Sequence, residues 1–479
     1  MPGAAYLVVL SVWALASAGA ITLVIYAKKH ATSLWYKASL AGFFSITAAS
    51  VAFFAVGASV GDIFAKTPDP YFEPGLNGWY AERPTTQGGT YTGEFKDGLF
   101  HGSGELIDAD GSVYTGEFAF GRRTGEGSCT FANGERYSGQ WEDDLQDGFG
   151  TCIFVNNERY VGQWQAGRMS GQGIFTYVDG SIYEGTWQDD LWDGQGVCTS
   201  SEGWIYEGSF VQGVRVGQGT LSYADGSVYE GAFKNGLPEG LGAFSPASSA
   251  TSSVAYTGSW ERGIRQGQGT LTWADGSVYE GMFFADLPNG QGSFSSKEGW
   301  VYTGSFADGL RSGQGTLTWA NGSIYEGQWK DDARHGHGKL QSSAGWIYEG
   351  SWEQDQRCGQ GSYQYADGSI YVGSWKDNLE NGQGCFSSFE GWIYNGKWRD
   401  GARNGLGIMT YADGSTYSGK WVENIKSGQG TQTYVDEQGI YFGSYTGAFE
   451  ANKRNGQGTF TYASGALISG LWRDDSFVG

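Results

Sequence analysis

Charge is scarce in this chain and lopsided: 17% of its residues are charged, with 30 Lys and Arg against 51 Asp and Glu, a formal net charge of −21. The deficit of basic residues argues against nucleic acid as a partner, because that association draws on Lys and Arg displacing counterions from phosphates. The same sign argues against the bulk of the chain lying on an anionic lipid surface. Cysteine is rare and odd in number, five in all, so a fully paired disulfide framework is excluded. Cys129, Cys152 and Cys198 are spaced by 23 and then 46 residues and read as small core residues at one repeated position. Histidine is rarer still, with four residues. His335-Gly-His337 offers only two ligands where a metal site needs more, and His101, at the place equivalent to His335 in another unit, makes these turn residues. No metal and no cofactor is expected.

What is abundant is glycine, 82 residues, beside a 16% share of aromatics. Glycine without the every-third-residue pattern of collagen, and with many Trp and Tyr to bury, points to tight turns joined by short aromatic strands.

The N-terminal segment differs. Ala4 to Ala27 and Ala38 to Gly61 are uncharged runs of equal length. At 1.5 Å per residue each spans about 36 Å, enough to cross a hydrocarbon core of roughly 30 Å. Residues 1–66 are thus expected to form a two-helix transmembrane hairpin. Lys28, Lys29, His30 and Lys37 lie between the helices, while Asp62, Asp69 and Glu73 follow the second. The positive-inside rule then puts the short loop on the cytoplasmic or matrix side and the remainder on the opposite side. The sequence does not choose between a mitochondrial inner membrane and the secretory pathway. A secretory signal peptide is the alternative, with Ala14-Leu15-Ala16 as its cleavage site, although Met1-Pro2-Gly3 is not a basic start. Pro68, Pro70, Pro74 and Pro84 mark residues 67–90 as an extended linker.

From Tyr91 the chain repeats itself. A Tyr-x-Gly-x-(Trp/Phe) signature starts at Tyr91 and returns at Tyr114, Tyr137, Tyr160, Tyr183, Tyr206 and Tyr229 in a constant 23-residue step, a first block taken as 91–255. It resumes at Tyr256 and keeps the same step to Tyr417, then Tyr445 and a degenerate cap at Ile468 to Trp472 close a second block, 256–479. Large residues and glycines alternate in the signature and again eleven residues on, as in Gly267-Gln-Gly269-Thr-Leu-Thr-Trp273, which is the period of β-strands. Seven residues after most tyrosines stands Gly, Asn or Asp, the residues that tolerate positive φ. Each unit is expected to be a hairpin. These residues resemble the MORN (membrane occupation and recognition nexus) repeat family, whose units read like Tyr229-Glu-Gly231-Ala-Phe233 followed by a Gly-x-Gly pair. The resemblance implies an all-β repeat array, an elongated single-layer antiparallel sheet of 23-residue hairpins that serves as a scaffold and often dimerises. Phosphoinositide contact, reported for some relatives, is not expected of an array this acidic.

Superimposed on the 23-residue step is a 46-residue one. Trp204, Trp300, Trp346 and Trp392 stand two residues before a tyrosine in alternate units, and Arg215, Arg265, Arg311, Arg357 and Arg403 nine residues after one. Asp193, Glu239, Asn289 and Glu380 take the corresponding tips of the other units. The tryptophans are either packed over the sheet or an exposed binding row. The arginines are either internal charge balance or a striped edge that registers against a partner. These nine Trp and Arg residues are the candidate partner contacts. Gly-x-Gly pairs without a following helix or Lys-Ser/Thr lack the context of a phosphate loop, and no segment remains for an enzyme domain. The expected function is a non-enzymatic, membrane-anchored scaffold or accessory subunit docking an acidic β-rod on a protein complex or on further copies of itself. The alternatives are a tether joining two membranes and a coat protein of an external surface, for which the sequon Asn321-Gly-Ser323 would carry glycan.

Overall fold

The computed structural model describes residues 75–248 and 254–479. The two expected membrane helices, Ala4 to Ala27 and Ala38 to Gly61, lie outside the described residues, as does the first part of the expected linker. Among the described residues no helix is long and apolar enough to cross a membrane, and 35 β-strands follow one another. They fall into two units, 75–219 and 220–479.

Within each unit a repeat contributes a seven-residue strand and a nine-residue strand, paired antiparallel. Ile347–Glu353 and Gln356–Gln364 show the pattern. Tyr348 faces Tyr363, Gly350 faces Gly361 and Trp352 faces Arg357, with a shift of register after Gly350. There Gly359 takes a φ of +58° and the nine-residue strand bulges; a Cβ at that position would also press on the Ser351 side chain at 3.2 Å. Beyond the bulge the next strand returns to register, with Gly361 opposite Gly373 and Tyr363 opposite Tyr371.

The hairpin turns are two-residue turns with both central residues at positive φ, Gln354 at +46° and Asp355 at +64°. That is the mirror-type geometry whose twist suits a hairpin. The second position holds Gly, Asn or Asp, as the sequence predicts. The first also takes Phe120, Gln212 and Arg262, at φ of 53°, 48° and 51°, so pairing on both sides of the turn imposes a conformation those residues do not favour. The connection to the next repeat is a turn such as Tyr365 to Ser369. The Tyr365 N–H donates to the Ser369 carbonyl at 2.8 Å and the Gly368 N–H to the Tyr365 carbonyl at 3.0 Å. The Asp367 carboxylate accepts from the Ser369 N–H at 2.8 Å, the local capping that makes Asp-Gly-Ser a turn.

Two local expectations give way, and the longer spacings between repeats show how the sheet takes up extra residues. Gly78–Pro84, placed in the linker, is the first described strand and pairs with Thr90–Lys96. It lacks the repeat signature but covers that strand's edge, with Tyr80 edge-on to Phe95 at 5.6 Å, and an edge strand tolerates its terminal proline. The longer spacings act on the sheet differently. Across Ser245 to Ala255 the flanking strands still pair, Phe244 with Tyr256 and Gly242 with Gly258. Around Asp436 to Ser444 the extra residues lengthen the strands to Ile425–Val435 and Tyr441–Glu450, with one irregularity between Tyr434 and Val435. Finally, His335 and His337 lie on the strand Ala333–Gln341 and not on a turn. Among the described residues no three His, Cys, Asp or Glu are grouped to hold a metal.

Candidate interaction surface

The two faces of each sheet differ because residue type alternates along every strand. One face is mostly polar, with Phe149, Leu241, Leu406 and Ile408 exposed among the polar residues, and part of it satisfies itself. Gln172, Gln195, Gln291 and Gln360 donate through Nε2 to a Thr or Ser hydroxyl on the following strand at 2.7–2.9 Å.

The other face carries the core of a sheet that has no second layer. Each signature tyrosine lies across a glycine pair. A Cβ added at Gly361 would stand 2.6 Å from the Tyr348 hydroxyl, and one at Gly350 2.5 Å from the Gly361 Cα. The absence of both side chains is what lets the ring lie flat. The hydroxyl donates to the Ser351 carbonyl at 2.9 Å. Trp352 stands edge-on to Tyr348 at 5.1 Å and to Tyr325 of the repeat before at 5.6 Å, and its Nε1 donates to the Gly338 carbonyl at 3.1 Å. Each tyrosine is thus held between its own repeat's aromatic and the next one's, in the T-shaped geometry aromatic pairs favour. The tyrosines are fully buried, and burial pushes the phenols of Tyr302 and Tyr279 up to about 12. Cys129, Cys152 and Cys198 are free, buried thiols of this core, and burial raises Cys129 to about 11.

The structure turns the predicted arginines inward, onto this face. The Arg311 guanidinium lies 4.3 Å from the Trp329 ring and 5.7 Å from Tyr302. Its Nε donates to Asp332 Oδ1 at 3.0 Å and its terminal nitrogen to the Asp332 carbonyl at 2.8 Å, while the Arg311 backbone N–H donates to the same carboxylate at 2.9 Å. Arg265 holds Asp286 in the same way. Arg357 and Arg403 hold Asn378 and Asn424. Arg215 lies over Trp204 and Tyr206. Lys426 takes the arginine's place in one repeat. Its Nζ donates to Gln432 at 2.8 Å, and burial lowers it to about 8, with the Asp475 charge opposing.

The predicted tryptophans sit at the far end of the same face, where the repeats connect, and are half-buried. Trp300 stacks on Phe294 at 4.9 Å, Trp346 on Tyr363 at 5.4 Å and Trp392 on Phe386 at 4.9 Å. Sequence reasoning missed their partners. Tyr177, Tyr223, Trp273, Trp319, Tyr365 and Tyr411 stand seventeen residues after the tyrosine in alternate units and are half-buried too. With them the rings join into rows. Trp346, Tyr363, Tyr365, Phe386 and Trp392 follow one another at centroid separations of 5.4, 4.5, 5.6 and 4.9 Å. The 46-residue recurrence of these aromatics was the signal. Also missed was the Asp or Asn on the following repeat that partners Arg123, Arg265, Arg311, Arg334, Arg357, Arg403 and Arg454, always at the same distance along the chain.

Comparison with known proteins matches this geometry to a family. The MORN repeat model matches sixteen segments, beginning with 91–113 and 114–136 and ending with 445–467. No curated protein matches the chain. Among solved structures, the TCP10c domain of Drosophila melanogaster Sas-4 is 12% identical over 33% of this chain and 91% of that one, at a TM-score of 0.20. The TCP10 domain of Danio rerio CPAP is 12% identical over 47% and 93%, at 0.21. Virginiamycin B lyase from Staphylococcus aureus is 12% identical over 59% and 89%, at 0.11. Scores of that size establish no shared fold. The sixteen matched segments cover well over half of the residues, and each coincides with a hairpin built on a tyrosine over two glycines; the chain belongs to the MORN repeat family.

Proposed function

We propose that this protein is a non-enzymatic scaffold or accessory subunit that docks on a protein assembly through the half-buried aromatic row of its repeats. The row from Trp346 to Trp392 carries this reading. Rings in that number exceed what the hairpins need for cohesion, which the fully buried Tyr and Trp of the signature already supply. Aromatic side chains with one face packed and one face wet are what the centre of a protein interface is built from. The opposite face exposes apolar side chains mostly singly, as at Phe149 and Leu241, and carries no such row of stacked rings. In this reading the apolar runs Ala4 to Ala27 and Ala38 to Gly61 hold the chain at a membrane, with the loop of Lys28, Lys29, His30 and Lys37 on the cytoplasmic or matrix side and the repeats on the other.

Hydroxyl-radical footprinting tests the docking. The full chain is oxidised once in gently extracted membranes and once after stringent detergent has stripped its partners. Trp346 and Trp392 are expected to be protected several-fold in the first sample and to react in the second. Equal oxidation in both overturns the reading.

A further inference from the structure

The mostly polar face carries two open troughs of opposite charge, one in each unit. The trough in unit 220–479 measures about 650 Å³ and is lined by Gly396, Gly407 and Gly419 and by Leu406 and Ile408, the last two 69% and 50% exposed. Lys397 and Lys420 flank Leu406 on the two neighbouring strands, Ile393–Arg399 and Thr416–Val422. Leu406 stands opposite Lys420, and Gly396, next to Lys397, stands opposite Gly407. Both lysines are exposed. Among the described residues no Asp or Glu lines this trough and neither lysine forms an ion pair, whereas Lys234, Lys297 and Lys453 each lie against a carboxylate.

The trough in unit 75–219 is acidic. It measures about 460 Å³ and is lined by Trp79, Glu105, Glu117 and Glu126, and among the described residues by no Lys or Arg. Trp79 is 64% exposed. Glu94 stands opposite Trp79 and extends the row of carboxylates. Glu94 and Glu117 occupy the position three residues after the signature tyrosine in successive repeats, and Lys397 and Lys420 occupy that same position in theirs. Since strands lie about 4.8 Å apart, each pair is separated by two strands, roughly 10 Å. The two carboxylates therefore match the two ammonium groups in spacing as well as in sign.

We propose that the basic trough of one copy seats on the acidic trough of a second copy, with Lys397 and Lys420 against Glu94 and Glu117. Trp79, Leu406 and Ile408 then lose exposed apolar area, which supplies the cohesion. The ion pairs set register and partner choice more than strength. An anionic bilayer is a poorer occupant of the basic trough, because a chain of net charge −21 is repelled by it. The joined surfaces are unlike, so each copy keeps one trough of each sign and further copies add head to tail. The aromatic face stays free, and the inference stands apart from the docking reading above.

The test is sedimentation velocity of the purified full chain over a range of concentrations. At low salt the average mass is expected to climb with concentration past that of a dimer, and to fall back at high salt. The double variant Lys397→Glu with Lys420→Glu and the double variant Glu94→Lys with Glu117→Lys each associate about tenfold more weakly, with strand circular dichroism unchanged. An equimolar mixture of the two recovers the wild-type association, because reversed trough meets reversed trough and native meets native. Misfolded variants could not restore one another in this way. A chain that stays monomeric, a mass that stops at the dimer, variants that associate as the wild type does, or a mixture as weak as its components overturns the proposal.

Discussion

At the scale of the residue, the array rests on a tyrosine lying flat over two glycines. The ring fills the space two side chains would have taken, and its hydroxyl finds a backbone carbonyl three residues on, as Tyr302 does at Ser305 and Tyr394 at Lys397. Ionising such a phenol removes the donor and leaves a charge away from water. Burial therefore raises the phenols of Tyr206, Tyr256, Tyr302, Tyr394 and Tyr417 to about 12, against about 10 for the free side chain. A group whose folded value is raised contributes stability that is complete below its unfolded value and is lost as pH rises through the folded one. Stability is accordingly expected to hold up to about pH 10 and to fall steeply between pH 10 and 12, with tyrosinate absorbance appearing only as the strands melt. Full tyrosinate absorbance near pH 10 with strand circular dichroism intact would contradict it.

At the scale of the element, consecutive hairpins are joined by more than backbone pairing. Asp332 accepts both the side chain and the backbone N–H of Arg311 from the preceding repeat, and its φ of +67° suits Gly or Asn as well. That permits a clean dissection. Asp332→Asn should change stability little, since Asn378 and Asn424 perform the same task. Asp332→Gly keeps the turn and its carbonyl but removes the acceptor of the Arg311 Nε and backbone N–H, at a cost of about 1–3 kcal/mol. Hydrogen exchange of the Leu310–Thr318 amides reads the difference, and equal protection in the two variants would refute the staple. The hairpins themselves were legible in the sequence because their determinants are local: alternation within a strand, and Gly, Asn or Asp at a turn. The staple was not, because Arg311 and Asp332 belong to successive repeats and meet only once these are stacked. Gly78–Pro84 escaped notice for the opposite reason, since it has no signature and owes its strand to the edge it covers.

At the scale of the whole molecule, the MORN repeats give two unlike faces, one mostly polar with scattered exposed apolar residues, the other aromatic with its inner rings buried and its outer rings half-buried. The sequence located Trp300, Trp346 and Trp392 by their 46-residue period but left open whether they pack or bind. The structure shows each ring stacked on one side while remaining half-buried, and the same period running through Trp273, Trp319 and Tyr365. Of the arginines, equally periodic, Arg265, Arg311, Arg357 and Arg403 are engaged in holding the next turn. Scaffolding on a protein assembly is the central claim. Native mass spectrometry of the full chain, extracted gently from the cells that make it, tests it most directly. The account predicts a particle heavier than the chain and containing a defined partner, whereas recovery of the chain only as a free monomer would contradict it.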